Sequence, residues 1–480
     1  MDEEKRSVSQ GRLTSTSGQL SLPAVMAFAS ASIPIAALVL AITVHLPRYF
    51  ASHLGLSLAV VGGAFALVRF IDIPLDAGLG LAMDRTRTRF GRYRVWMALG
   101  APVLMFAMYM LMISPQGVGQ GYLIGWLLVM YVGYSGVYLS HLAWAGRLAP
   151  SYQQRNRVFG AITGLGVVGA MAVLLIPVLM TQYGATDAEG VRAMIWFIIG
   201  STAVTALIVV GTSPEVISKD HETTFGLKDY WSLLTRPNIL RLLAADLFVT
   251  LGPGWMASMY LFYFTDSRGF TLASANLLLM IYIAAGFAGA PFAAWLANRL
   301  SKHRALMVTT TIYSLGLITI PFLPAGNFFI FAPGMFLLGG MAAGFTVLIR
   351  AITADIADEI RLESGREWMG LMYAMTTATS KLATAGAIFL TFNVLAAVGY
   401  QAQEGATNTP EAITGLELAY IIGPIVFVMI AGACFFGYRL TADRHAEIRR
   451  QLDEKDALVD PAAALESLTG EDIAPANRPT

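Results

Sequence analysis

Apolar residues run along this chain in blocks of about 20 or more, long enough to cross ~30 Å of hydrocarbon as helices. The polar positions gather between the blocks. Counting them predicts twelve spans, at 22–46, 57–83, 95–113, 121–148, 158–181, 191–211, 239–265, 272–297, 304–324, 328–357, 367–399 and 414–438. The intervening loops fall into two alternating sets. One is basic: the amino-terminal tail, 84–94, Arg147 with Arg155 and Arg157, Lys219 to Arg236, Arg299 to Arg304, Arg361 with Arg366, and the tail after Arg439. The other carries Arg48, Arg192 and Arg268. Because basic loops stay on the cytoplasmic side, an even number of spans places both termini in the cytoplasm.

The longest polar interruption divides the spans six and six. The organisation expected is a cytoplasmic tail (1–21), a six-helix bundle (22–211), a cytoplasmic linker (212–238), a second six-helix bundle (239–438) and a cytoplasmic tail (439–480). A transporter built from repeats has this layout. The turn Asp84–Arg94 has a faint echo in A-N-R-L-S-K-H-R, at 297–304. After Arg439, Leu440, Ile448 and Leu452 fall near helical spacing and predict a short surface helix.

Composition sharpens this into an all-α polytopic membrane protein. Of 480 residues 56% are hydrophobic and 13% charged, and mean hydropathy is +0.61, outside the range of a soluble domain. The net charge of +1 gives no argument for a nucleic-acid partner. The single cysteine, Cys434, excludes an intramolecular disulfide and a cysteine-based metal cluster. The first apolar block is too long for a signal-peptide core and reads as an uncleaved span. No zinc spacing, phosphate loop, dinucleotide fingerprint or nucleophile elbow is present, so neither an enzyme nor a resident cofactor is expected.

The chemistry concentrates in R-F-I-D-I-P-L-D, residues 69–76. Arg69, Asp72 and Asp76 are three and then four residues apart, on one face of the second span. Ionisable groups at that depth are costly and mark ion pathways, although a structural ion-pair network with Lys381 would also satisfy them. Arg69 is either the partner that holds Asp72 or a ligand for a solute. In the fourth span Tyr138, Ser140, His141 and Trp144 form an aromatic and hydroxylated cluster suited to a sugar-like ring. The alternative is helix packing, above all for His141. Asp246, one turn into the seventh span, is a gating candidate or a simple helix-start acid. The basic turn with Asp84, Arg85 and Arg92 sets topology first, and paired with Asp355 and Asp358 it could latch the two halves.

The chain resembles the major facilitator superfamily, in particular its glycoside–pentoside–hexuronide:cation symporters, the melibiose permease-like branch. Three stretches carry the resemblance: R-F-I-D-I-P-L-D-A-G-L-G with D-R-T-R-T-R-F-G-R-Y-R-V-W, then A-D-I-A-D-E-I-R-L-E-S-G-R-E at 354–367, then Lys381. The resemblance implies that Asp72 and Asp76 are cation-coupling carboxylates with Lys381 as their positive neighbour. It also implies Trp144 as a sugar-stacking residue. Departures fall at a sodium-site asparagine (here Leu75), a sodium-site threonine (Val137), a sugar-holding carboxylate (Ser140) and a sugar-site arginine (Leu165), and Ser30–Val44 lacks the first-helix acid.

The function expected is therefore cation-coupled symport of a sugar, glycoside or related small polar solute by alternating access. The protein would be a monomer in the inner, or plasma, membrane, with a proton rather than sodium as the coupling ion. A lysolipid or amphiphile carrier of the same family is the rival within transport. A non-transporting membrane assembly or sensor protein is the rival outside it.

Overall fold

The computed structural model describes residues 20–114, 117–148, 152–215, 227–366 and 368–459. Twelve helices in it are long and apolar enough to cross a membrane: α1 (Leu22–Ser52), α2 (Leu58–Met83), α3 (Tyr93–Met112), α4 (Gln120–Leu148), α5 (Arg157–Gln182), α6 (Asp187–Thr212), α7 (Pro237–Ser267), α8 (Leu272–Leu300), α9 (Lys302–Phe322), α10 (Phe328–Ser364), α11 (Met369–Ala397) and α12 (Pro410–Ala433). A thirteenth, α13 (Ala442–Val459), is polar and follows them. A short helix, Leu227–Leu234, precedes α7.

Local chemistry accounts for many of the boundaries. Ser57, Thr271, Asn327 and Thr409 each place a side-chain oxygen over the first turn of α2, α8, α10 and α12, satisfying an amide that the helix leaves unpaired. Thr186 and Glu189 form a reciprocal capping box on α6. Among the ends that differ from expectation, two show their cause. α10 continues past 357 to Ser364, because Asp355, Asp358 and Glu359 project from the apolar stretch and find partners there instead of ending the helix. α12 starts four residues early, because Thr409 caps it and Pro410 opens its first turn.

The outer faces are apolar, the reverse of a soluble protein. Phe70 is 67% exposed while its neighbour Arg69 is buried, so α2 turns Phe70 outward and keeps its charge within the protein. Helices α1–α6 and α7–α12 form the two bundles, and two extensive seams join them beside a smaller contact of α1 on α7. α2 packs on α11, and α5 packs on α8, which is the second helix of each half against the fifth of the other. α1 and α7, the first helix of each half, both widen into a π-helical turn, at Ala41–His45 and Tyr263–Ser267.

The bundles meet at the end that carries Ser52. There Glu404 accepts from His53 Nδ1 at 2.6 Å and gives its amide to the Ser52 carbonyl at 3.2 Å. Arg48 donates to Thr265 at 3.3 Å, and His45 pairs with Asn276 at 3.1 Å. Gly62 lets α2 and α11 approach: a Cβ there would lie 2.9 Å from Phe392 Cβ.

At the opposite end, which carries Arg92, the described contacts bind each bundle to itself. Glu215, just after α6, accepts the amides of Arg92, Tyr93 and Arg94 at 2.5, 2.7 and 3.1 Å, so a carboxylate closes the positive end of α3. Arg94 in turn donates to the Ser213 carbonyl. Gly91 makes room for this strap: its φ is +112°, and a Cβ would stand 2.1 Å from Glu215 Oε2. α13 lies on the end of α10, burying Ile448 and Leu452.

Candidate cation-coupling and solute site

Arg69, Asp72 and Asp76 do share one face of α2, and that face meets Lys381 of α11 across the seam. Asp72 is fully buried and is held three ways. Its Oδ2 accepts from Arg69 at 3.3 Å and from Lys381 Nζ at 2.9 Å, and its Oδ1 accepts from Ser135 of α4 at 3.2 Å. Lys381 also donates to Asp76 Oδ2. Asp76 Oδ1 is buried with no described partner. Pro74 lies between the two acids and cannot donate to the carbonyl of Phe70, which leaves the backbone ladder open beside the carboxylates. The ammonium is thus a cross-bundle bridge between two acids on the other half.

Arg69 takes the partner role among its two alternatives. Its guanidinium lies 4.6 Å from the centroid of the Tyr131 ring, and its side chain is 10% exposed. The charge is enclosed between Tyr131 and Asp72.

The fourth-span cluster requires a correction. Trp144, Ser140 and His141 do not present themselves to a solute. Trp144 is fully buried, edge-on to Phe28, and its indole N–H donates to the Pro214 carbonyl at 3.0 Å. The Ser140 hydroxyl returns to the carbonyls of Gly136 and Val137. His141 stacks on Phe28 and bonds its carbonyl at 2.9 Å. Spacing put these residues on one helical face, but that face packs on α1 and the 213–215 strap. Tyr138 is half-buried and stacked on Tyr134, with ring centroids 5.5 Å apart.

A cavity of about 640 Å³ reaches Asp76 from the Arg92 end, between Gly80 of α2, Leu139, Leu142 and Gly146 of α4, and Arg147 at its mouth. Asp76 therefore has a route to water, while the side chain of Asp72 has no exposed surface. With the Ser52 end clasped, the site is open on one side.

Comparison with known proteins gives this geometry a family. The sequence model of a family described as MFS/sugar transport protein matches residues 27–442. The chain belongs to that family. It is a transporter, not an enzyme. Among similar curated proteins, an uncharacterised symporter of Bacillus subtilis (strain 168), YnaJ, is 23% identical over 86% of this chain and 91% of its own length. An isoprimeverose transporter of Lactiplantibacillus pentosus is 21% identical over 87% and 89%, and a glucuronide carrier protein homolog of Escherichia coli (strain K12) 22% over 85% and 90%. Among solved structures, the nucleoside transporter NupG superposes with a TM-score of 0.64 at 14% identity, covering 87% of this chain and all of that one. That likeness shows the fold.

Within this transporter the gating candidates are distributed differently from expectation. Asp246 makes no described salt bridge to a basic loop. Its Oδ2 accepts from the hydroxyls of Thr379 and Ser380, the two residues before Lys381. Asp355 pairs with Lys302 and with His445 of α13, and Asp358 with His445 and Arg449. The described partners of these two acids lie in their own bundle and its tail, not in the 84–94 turn. Arg85 is exposed, Arg92 gives its amide to Glu215, and the side chain of Asp84 lies outside the described residues.

Two residues of this geometry escape the sequence reading. Ser135 is a hydroxyl among several in α4, and only folding shows which one meets Asp72. Glu215 pairs with backbone amides, which leave no pattern in a sequence.

Proposed function

We propose that this transporter carries a sugar, glycoside or related small polar solute in symport with a proton. It would work as a monomer in the inner, or plasma, membrane with both termini cytoplasmic. The observation that carries the reading is the Lys381 ammonium shared between Asp72 and Asp76 across the bundle seam. A lysine bridging two acids on the other half ties the position of the bundles to the charge state of the acids. Protonating Asp76 through the cavity removes one partner of the ammonium and loosens the seam, so the bundles can rock about the midplane. The basic loops lie at the Arg92 end, which the positive-inside rule makes cytoplasmic. The open cavity then faces inward and the Ser52 clasp faces out.

A proton needs no oxygen shell, and Leu75 and Val137 supply no oxygen where sodium-coupled relatives would. The names of relatives, lactose permease, isoprimeverose transporter and glucuronide carrier homolog, support the solute class. The test is uptake into proteoliposomes driven by an imposed pH gradient without sodium, against an imposed sodium gradient at fixed pH. Accumulation driven by the pH gradient is expected. Accumulation driven only by sodium overturns the proton, and flux of a lysolipid with none of lactose, isoprimeverose or a glucuronide overturns the solute class.

A further inference from the structure

A solute bound between two bundles has to be met by side chains, yet the α4 residues suited to a sugar ring are closed into the core. The part of α4 that does line the cavity, Leu139, Leu142, Ala143 and Gly146, is apolar as far as Arg147 at the mouth. Every residue that lines it belongs to the amino-terminal bundle, and across the seam the other half carries hydroxyls on the Lys381 face. On α11, Tyr373 and Thr377 lie two turns and one turn from Lys381 toward the Arg92 end, on the same face, and both are exposed. The face of α11 that meets Asp72 and Asp76 thus continues as an exposed wall with two hydroxyls, of which Thr377's donates to the Tyr373 carbonyl at 2.8 Å and keeps its oxygen as an acceptor.

Two charges stand beside that wall, and neither belongs to the cation network. Asp246 of α7 spends one carboxylate oxygen on Thr379 and Ser380, and its Oδ1 has no described partner. Arg350 of α10 is exposed, and α10 packs against both α7, which carries Asp246, and α11. The Tyr373 hydroxyl donates to the Arg350 carbonyl at 3.4 Å, which fastens this turn of α10 to the wall of α11. An ionised guanidinium inside a membrane span faces water or a partner rather than lipid. Two hydroxyls alone do not require a buried carboxylate, since an amide would accept from them at far less desolvation cost.

From these residues we infer that the carboxy-terminal bundle carries the solute-recognition site, with Asp246 and Arg350 as its ligands and a polyhydroxylated ring as its occupant. The free oxygen of Asp246 accepts from adjacent ring hydroxyls. The guanidinium fork donates to ring and hydroxyl oxygens, and Thr377 lies one turn along the same wall. This rests on the sugar reading above and adds where recognition lies.

The test is thermal unfolding of the purified protein with lactose, isoprimeverose or methyl glucuronide, each in large excess, since a bound ligand raises apparent stability by mass action. At least one of them should raise the midpoint for the wild type. Asp246→Asn and Arg350→Gln should each weaken its binding by about one to two decades, the value of a hydrogen bond to a charged group, while Ser140→Ala keeps it. Arg350 is exposed, so Arg350→Gln decides the matter if Asp246→Asn does not fold. A shift that persists at full size in Arg350→Gln overturns the assignment and leaves the sugar reading intact. No shift of the wild type with any of the three overturns both.

Discussion

Replacing Asp76 by asparagine removes the carboxylate that faces the cavity and leaves the rest of the network close to intact. The two acids differ in a way the sequence does not display. Asp72 has no exposed side-chain surface and accepts from Arg69, Ser135 and Lys381, whereas Asp76 is 14% exposed and accepts from Lys381. Asp72→Asn strands the buried Arg69 guanidinium and leaves the ammonium with Asp76 alone, a loss of roughly 3–5 kcal/mol, and confounds transport with folding. In Asp76→Asn the ammonium keeps Asp72 at 2.9 Å, so the protein is expected to fold and bind solute but to lose coupling. One charge moving down a potential of about 100 mV supplies ~2.3 kcal/mol, which equals roughly 50-fold accumulation at ~1.4 kcal/mol per decade. Wild-type proteoliposomes under an imposed potassium-diffusion potential should approach that ratio. Asp76→Asn should equilibrate near onefold and still exchange labelled for unlabelled solute. Accumulation of about tenfold or more in Asp76→Asn would show that the potential is coupled through another group, and the assignment of Asp76 would fall.

Two further expectations follow from packing. Trp144→Ala should lower stability by about 3–5 kcal/mol, the usual loss for a buried aromatic, because the indole is fully enclosed and bonds the Pro214 carbonyl; normal thermal stability with a loss of solute affinity would return it to the binding site. Gly91→Ala should release the Glu215 strap, since its Cβ would overlap Oε2 and its φ is +112°. A cost of about 1–3 kcal/mol is expected for that strained position, read as a lower unfolding midpoint, and an unchanged midpoint would show that Glu215 contributes nothing to holding α3.

What the sequence determined by itself is everything that depends on composition and period. Twelve apolar blocks, the alternation of basic loops and the six-plus-six division are local properties, because a bilayer demands a fixed length of apolar helix and retains arginine on one side. The acid pair was legible for the same reason: Arg69, Asp72 and Asp76 are charges where charge is costly, at spacings that share a face. The partnership with Lys381 required the family resemblance, since α2 and α11 are separated by most of the chain. Tertiary structure alone decided which way α4 turns. Trp144 and Leu142 are two residues apart in one helix, yet the first is sealed against Phe28 and the second lines the cavity. Helical period states that they point to different sides, and only the neighbours state which side is open. The same holds for Glu215, whose partners are the amides of α3, and for Asp246, which binds two hydroxyls of α11 where a basic loop was expected. Each of these is a contact between distant segments, and its energy comes from a partner that no local pattern names.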